Sequence, residues 1–303
     1  MTSSVVSARA LVQSSRVPFL LLPPMCVLLG LATAWHGSPQ PDAQVLAWVL
    51  VGALLAHISV NLLNEYLDFR SGLDLLTQRT PFSGGSGSLP EQPNAARVVL
   101  WGGVVTLLAT AAVGLYLTFL SGWWLLPIGV LGLLLVAFYT QPINRMPWLC
   151  LISPGLGFGV LMVLGTHYAL AASVNALVIV ASLVPFFMVN NLLLLNQFPD
   201  VRADEQVGRR HLAIASGMAV ATRVYLVMTL CVPALLLLGI AFNVWSVWIL
   251  LALLPWSLTL ISWRAAQQWG EDIGQHPQAM AMNVMATLLT PLVMALVIML
   301  LPS

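Results

Sequence analysis

Polar positions are rare along this chain and confined to a few places. Between them run nine apolar stretches, near residues 17–35, 44–67, 97–119, 122–139, 148–170, 174–198, 216–241, 244–263 and 279–301. An α-helix needs about 20 apolar residues to cross a bilayer, so each stretch predicts one transmembrane helix. The connections alternate in character. Those at 36–43, 120–121, 171–173 and 242–243 are short, whereas 68–96, 140–147, 199–215 and 264–278 are longer and polar. The second and sixth stretches end alike, in Asn64-x-x-x-Asp68 and Asn196-x-x-x-Asp200-x-x-x-Asp204, each followed by a basic loop. The pattern predicts a four-helix unit used twice in parallel relation, plus one further helix.

Composition narrows the class. With 59% hydrophobic and 7% charged residues over 303 positions, and a mean hydropathy of +0.93, the chain reads as an all-α polytopic membrane protein. Residues 1–303 form one membrane-embedded domain, and the net charge of +1 suggests no nucleic-acid partner. The run that follows Arg9 and Arg16 ends in Ala32-Thr33-Ala34, as a cleavable signal would. Equally apolar runs follow it, which favours a retained helix. Cys26, Cys150 and Cys231 are far apart in apolar surroundings and read as small buried residues.

The eleven basic side chains are all arginine. With the N-terminus inside, every one falls at an inner helix end or in an inner loop. The positive-inside rule therefore predicts a cytoplasmic N-terminus and an outer C-terminus, in what we expect to be a bacterial inner membrane. Nine of the ten acids, all but Asp42, share that inner side, which the rule does not require. A bound cation is the economical reason for holding carboxylates there.

The motifs supply oxygen ligands at helical spacing. Asn64 and Asp68 are i,i+4 and share a helix face. Gly72 is placed to end that helix and let Asp74 fold back toward the same site. Asn196, Asp200 and Asp204 would share a face if helical, but Pro199 predicts a broken or kinked helix end. Oxygen donors of this kind suit Mg²⁺. The Gly-Ser loop 80–90, with Ser86 at its centre, reads either as a backbone N–H cradle for phosphate or as a slack linker. Tyr139 sits at another inner helix end, where tyrosines often act as interfacial anchors.

Taken together, these motifs resemble the UbiA superfamily of membrane prenyltransferases. The likeness runs from roughly residue 15 to 300. It implies nine transmembrane helices around a central cavity, with two aspartate-rich loops binding a Mg²⁺-complexed prenyl diphosphate. Asn64, Asp68, Gly72 and Asp74 look like the Asn-x-x-x-Asp-x-x-x-Gly-x-Asp form of the 1,4-dihydroxy-2-naphthoate polyprenyltransferases, which make menaquinone. Asn196, Asp200, Asp204 and Gly208 match the second motif, and Arg209 stands where the family often has lysine. Glu65 replaces a frequent aspartate.

The resemblance implies that Asn64, Asp68, Asp74, Asn196, Asp200 and Asp204 hold Mg²⁺ on a polyprenyl diphosphate. Asp68, Asp200 and Tyr139 would be closest to the chemistry, with Arg79, Arg145, Arg209, Arg210 and Ser86 on the diphosphate. Tyr66, Phe69 and Tyr139 would shield the allylic cation that alkylates an aromatic acceptor. That acceptor is expected to be 1,4-dihydroxy-2-naphthoate, with 4-hydroxybenzoate or another aromatic as the alternative. Repeated units with intramembrane carboxylates also suit a secondary transporter. Transporter sites lie near the bilayer midplane, whereas these acids sit at inner helix ends.

Overall fold

A computed structural model describes residues 3–35 and 40–301, and all regular structure within them is helical. The first half contains α1 (Ser3–Ser14), α2 (Leu22–Trp35), α3 (Ala43–Ser71), a short α4 (Ser88–Glu91), α5 (Ala96–Ser121) and α6 (Leu125–Phe138). Next come α7 (Pro147–Gly155), a π-helical turn over Leu156–Met162, α8 (Val163–Ala171) and α9 (Ala176–Asn196). The remainder is α10 (Val201–Gln206), α11 (Leu212–Ser216), α12 (Met218–Ala241), α13 (Leu253–Trp256), α14 (Leu258–Trp269) and α15 (Pro277–Leu300).

Among the described residues, eight helical segments are long and apolar enough to cross a bilayer. The fourth stretch yields only the 14-residue α6, about 21 Å at 1.5 Å per residue against a hydrocarbon core of about 30 Å. Successive helices pack side by side, α3 on α5, α5 on α6, α9 on α12, α12 on α14 and α14 on α15. The last helix, α15, packs on α2 and closes the bundle.

Lipid tails are as apolar as leucine, so burial alone does little to join helices inside a membrane. Close approach and interhelical hydrogen bonds do more. Both are present. A Cβ on Gly155 or Gly159 would lie 2.2 Å from the backbone of Phe186, so these two glycines let the α7–α8 segment touch α9. On the other side of α9, Asn191 Nδ2 donates to Thr229 Oγ1 (2.9 Å), and Tyr225 Oη donates to Asn283 Oδ1 (2.9 Å). These bonds tie α9, α12 and α15 together.

The structure shifts several expected boundaries. The second helix runs to Ser71, a turn beyond the apolar stretch, because it ends on Gly72 with φ 80°. Helical structure continues from Val247 to Gln275, so Arg264 lies within α14 and most of the expected loop 264–278 is helical. The reason is that Ala265 and Ala266 are buried and give the helix a packed face beyond its apolar run. Ser3–Ser14 form α1, which the hydropathy pattern does not reveal. The expected outer connection 36–43 falls partly on 36–39, outside the described residues.

Candidate active site

The two motifs converge at one end of a cavity of ≈ 560 Å³. Its walls come from α3, α5, α6, the α7–α8 segment and the end of α9, with Val284 and Leu288 from α15. Most of the lining is aliphatic. The charged end is formed by Asp68, Asp74, Asp200 and Asp204, together with Arg16 and Arg209.

Each acid arrives by a local cause. Asp68 is on the last turn of α3, where Asn64 Nδ2 donates to its Oδ2 (2.8 Å), and Thr140 Oγ1 donates to Asn64 Oδ1 (3.0 Å). Beyond Gly72 a 3₁₀ turn over Leu73–Leu75 folds Asp74 back into the cavity, as the sequence predicts. On the second motif α9 stops at Asn196 and α10 starts at Val201, so the helix breaks around Pro199. Asn196, Asp200 and Asp204 line the cavity all the same.

Arg209 bridges the motifs. One guanidinium nitrogen pairs with Asp68 Oδ1 and another donates to Asp204 Oδ1 (3.0 Å). His211 Nε2 lies 3.1 Å from Asp204 Oδ2. Asp74 and Asp200 have weaker compensation. Burial, with the charges of Glu65 and Asp68 beside it, pushes Asp74 up to about 7. Burial and the Asp204 charge push Asp200 up to about 7, against the Gly84 N–H and Arg209.

The Gly-Ser loop is part of the site rather than a linker. Gly84 N donates to Asp200 Oδ2 (3.0 Å), and a Cβ on Gly85 would lie 2.8 Å from Asp74 Oδ1. Ser86 donates through both its N–H (3.1 Å) and its hydroxyl to Glu65, which is fully buried. Arg16 Nη2 reaches the same carboxylate at 3.2 Å. Gly84, Gly85 and Gly87 all have φ between 74° and 78°, which side chains other than glycine rarely adopt.

Other polar loops meet this end of the bundle. Gly274 approaches Pro199 and Thr80, Arg202 Nε pairs with Glu271 Oε2 (2.7 Å), and Arg210 N donates to Asn144 O (3.0 Å).

Of the expected site residues, Asn64, Asp68, Asp74, Tyr139, Asn196, Asp200, Asp204 and Arg209 line the cavity. Arg79, Arg145, Arg210 and Ser86 lie outside its lining. Arg79 pairs with Glu91 (3.2 Å), Arg145 and Arg210 are exposed, and Ser86 is turned to Glu65. Tyr66 and Phe69 pack on the far side of α3 against the cluster around Leu62, Leu89 and Val99, so their rings do not face the cavity. Phe19, Phe82 and Phe158 do.

Arg16, Glu65 and His211 escaped the sequence reading. Arg16 looked like a topology signal and Glu65 like a mere departure from a motif, while His211 was given no role. A backbone clue exists only in the fold: Arg16 has φ 52°, a left-handed conformation costly for a residue with a Cβ.

The donor set suits a hard cation. Asp74 Oδ2, Asn196 Oδ1 and Asp200 Oδ1 are buried with no hydrogen-bond partner among the described residues. All three belong to residues at the charged end of the cavity. Unpaired buried oxygens are costly, and oxygen ligands are what Mg²⁺ takes. Among the described residues, no three acidic, histidine or cysteine side chains are gathered closely enough to hold an ion alone. Arg209 sits between two of the acids instead.

The model of the UbiA prenyltransferase family matches residues 24–285. The chain belongs to that family. Its relatives include the 1,4-dihydroxy-2-naphthoate octaprenyltransferase of Bacillus subtilis (strain 168), 29% identical over 63% of this chain and 60% of that protein. The chain thus spans less than two thirds of that relative's length. The protein of the same name in Escherichia coli (strain K12) is 26% identical over 98% of this chain and 97% of its own.

Solved structures agree in fold. The apo UbiA homolog of Aeropyrum pernix K1 superposes with a TM-score of 0.68 at 14% identity, covering 91% of this chain and 94% of that one. The Archaeoglobus fulgidus homolog bound to DMAPP and Mg²⁺ gives 0.62 at 14% identity, over 93% and 98%. This UbiA-family protein is therefore an integral membrane protein, and family membership sets the transporter reading aside.

Proposed function

We propose that the protein transfers a polyprenyl group from its diphosphate to 1,4-dihydroxy-2-naphthoate, with Mg²⁺ at the charged end of the cavity. The observation that carries this reading is the set of unpartnered oxygens on Asp74, Asn196 and Asp200. With Asn64, Asp68 and Asp204 they form a donor set drawn from both motifs. Mg²⁺ bound there would neutralise the diphosphate and stabilise the charge that grows as the allylic C–O bond breaks.

The chain's own groups do the rest. Arg16 and Arg209 are the cations on the cavity lining, so they are the side chains we assign to the diphosphate oxygens. The Gly84–Gly85 backbone, close against Asp200 and Asp74, holds those carboxylates toward the cavity. Tyr139 and Phe82 line the cavity and are the rings we assign to shielding an allylic cation. The aliphatic walls exclude water and accept the tail. The bicyclic acceptor, which would lose its carboxylate as the prenyl group joins, is supported by the Gly72-x-Asp74 form of the first motif and by the names of the relatives. The arginine distribution supports a site facing the cytoplasm of a bacterial inner membrane.

A competition assay tests this reading. Membranes holding the protein, given one polyprenyl diphosphate and equal 1,4-dihydroxy-2-naphthoate and 4-hydroxybenzoate, should prenylate the bicyclic acid preferentially and lose the activity on chelation of Mg²⁺. A site that pairs its substrate's polar groups discriminates by far more than the ~1–3 kcal/mol of a size difference. Preference for 4-hydroxybenzoate sinks the acceptor assignment, and turnover without divalent metal sinks the metal assignment.

A further inference from the structure

One polar side chain deep in the cavity is not used by the diphosphate site. His57 lies midway along α3, lines the cavity and is 7% exposed. Its Nδ1 has no hydrogen-bond partner among the described residues. His167, also buried, ties its Nδ1 to Thr33 Oγ1 at 3.0 Å and is not part of the lining.

His57, Asn61, Asn64 and Asp68 stand at i, i+4, i+7 and i+11, so they form one stripe of α3, and all four line the cavity. At 1.5 Å per residue, His57 is about 10 Å from Asn64 and about 16 Å from Asp68 along the helix axis. The metal and diphosphate belong at the lower end of that interval. What remains between them and the imidazole is room for an aromatic acceptor.

A prenyl tail cannot account for His57. It is hydrocarbon and offers no hydrogen bond, and a polar group placed within a membrane span is costly unless used. The wall packed against it leaves room for a ring. The π-helical turn Leu156–Met162 presents Gly157 and Phe158 to the cavity. The Phe158 ring meets the imidazole edge to face at 4.9 Å between centroids. A Cβ on Gly157 would touch nothing within 4 Å, so the space beside Phe158 is open. Single π turns inside α-helices are frequent at functional sites.

We infer that His57 is the acceptor-binding residue, hydrogen-bonding the 4-hydroxyl of the aromatic substrate while Phe158 and the open wall at Gly157 receive its ring. A neutral imidazole has one donor and one acceptor nitrogen, which suits a hydroxyl that both gives and takes. This inference rests on the prenyl-transfer reading above and adds the residue that selects the acceptor.

The test uses the purified full chain with Mg²⁺ and a polyprenyl diphosphate, comparing wild type, His57→Leu and His57→Gln. The acceptors are 1,4-dihydroxy-2-naphthoate and 1-hydroxy-2-naphthoate, which lacks one hydroxyl. His57→Leu should raise KM for the dihydroxy acid about tenfold or more, the weight of one buried hydrogen bond. Its KM for prenyl diphosphate should stay within about twofold, which also reports a folded site. His57→Gln should recover part of the loss, and the wild-type advantage of the dihydroxy over the monohydroxy acid should shrink in His57→Leu. An unchanged acceptor KM in His57→Leu, or an equal rise for both acceptors, overturns the inference and leaves prenyl transfer standing. Wild-type protein that transfers to no aromatic hydroxy acid overturns the parent reading and this inference together.

Discussion

At the scale of single residues, the site is governed by uneven charge compensation. Asp68 and Asp204 share the Arg209 guanidinium, whereas Asp74 and Asp200 each keep one buried oxygen with no partner among the described residues. Burial pushes both of the latter up to about 7, well above the ~3.9 of an unfolded aspartate. A carboxylate raised in this way favours the folded state while protonated. The metal-free protein should therefore lose thermal stability as pH rises from about 4 through 7 and change little above that. Mg²⁺ binds the deprotonated form, so it should restore the loss at pH 8 and bind more weakly as pH falls through 7. Melting curves in detergent with and without Mg²⁺ would check both statements, and Asp200→Asn should flatten the pH dependence. A metal-free melting temperature that climbs steadily with pH would contradict the account.

At the scale of elements, glycines divide into those that packing requires and those that the cavity requires. Gly155 and Gly159 face Phe186, where a Cβ would sit at 2.2 Å from backbone that cannot move aside. Gly157, between them, faces the cavity and meets nothing. Gly159→Ala should thus destabilise by about 1–3 kcal/mol, the usual cost of overpacking. Gly157→Ala should leave stability unchanged or raise it by up to about 1 kcal/mol through helix propensity. Thermal denaturation of the two variants, only two residues apart on the same segment, would separate these roles. In loop 83–88 the constraint is conformational instead, since Gly84, Gly85 and Gly87 hold φ between 74° and 78°.

At the scale of the molecule, all the polar loops that carry the site gather at one end of the bundle. Thr80, Pro199 and Gly274 meet there, and Asn144 receives the backbone of Arg210. One end can face only one compartment, and the arginines predict the cytoplasm. Single-cysteine reporters at Ser86 and Gln206 should therefore be labelled from the cytoplasmic side only, and one at Gln40 from the outer side only, in a background without Cys26, Cys150 and Cys231. Outer labelling at Gln206 would reverse the topology and every statement about which compartment supplies the substrates.

The sequence alone determined the class of this protein, because a bilayer leaves a helix few alternatives and records its crossings as apolar length. It also determined the two motifs, since Asn64 and Asp68 need only helical periodicity to share a face, and Gly72 needs only its backbone freedom to return Asp74. Tertiary structure decided everything that depends on which surfaces meet. Arg16 and Arg79 look equivalent in the sequence, yet one lines the cavity and the other pairs with Glu91 beside it. Tyr66 and Phe69 are neighbours of Asp68 in the chain and turned away from it in space. The Gly-Ser loop could be slack or structural until Asp200, Glu65 and Arg79 were seen around it. His57 carried no local signal at all, because a lone histidine acquires meaning only from the cavity it borders. Periodicity is a property of one helix, and a site is a property of several.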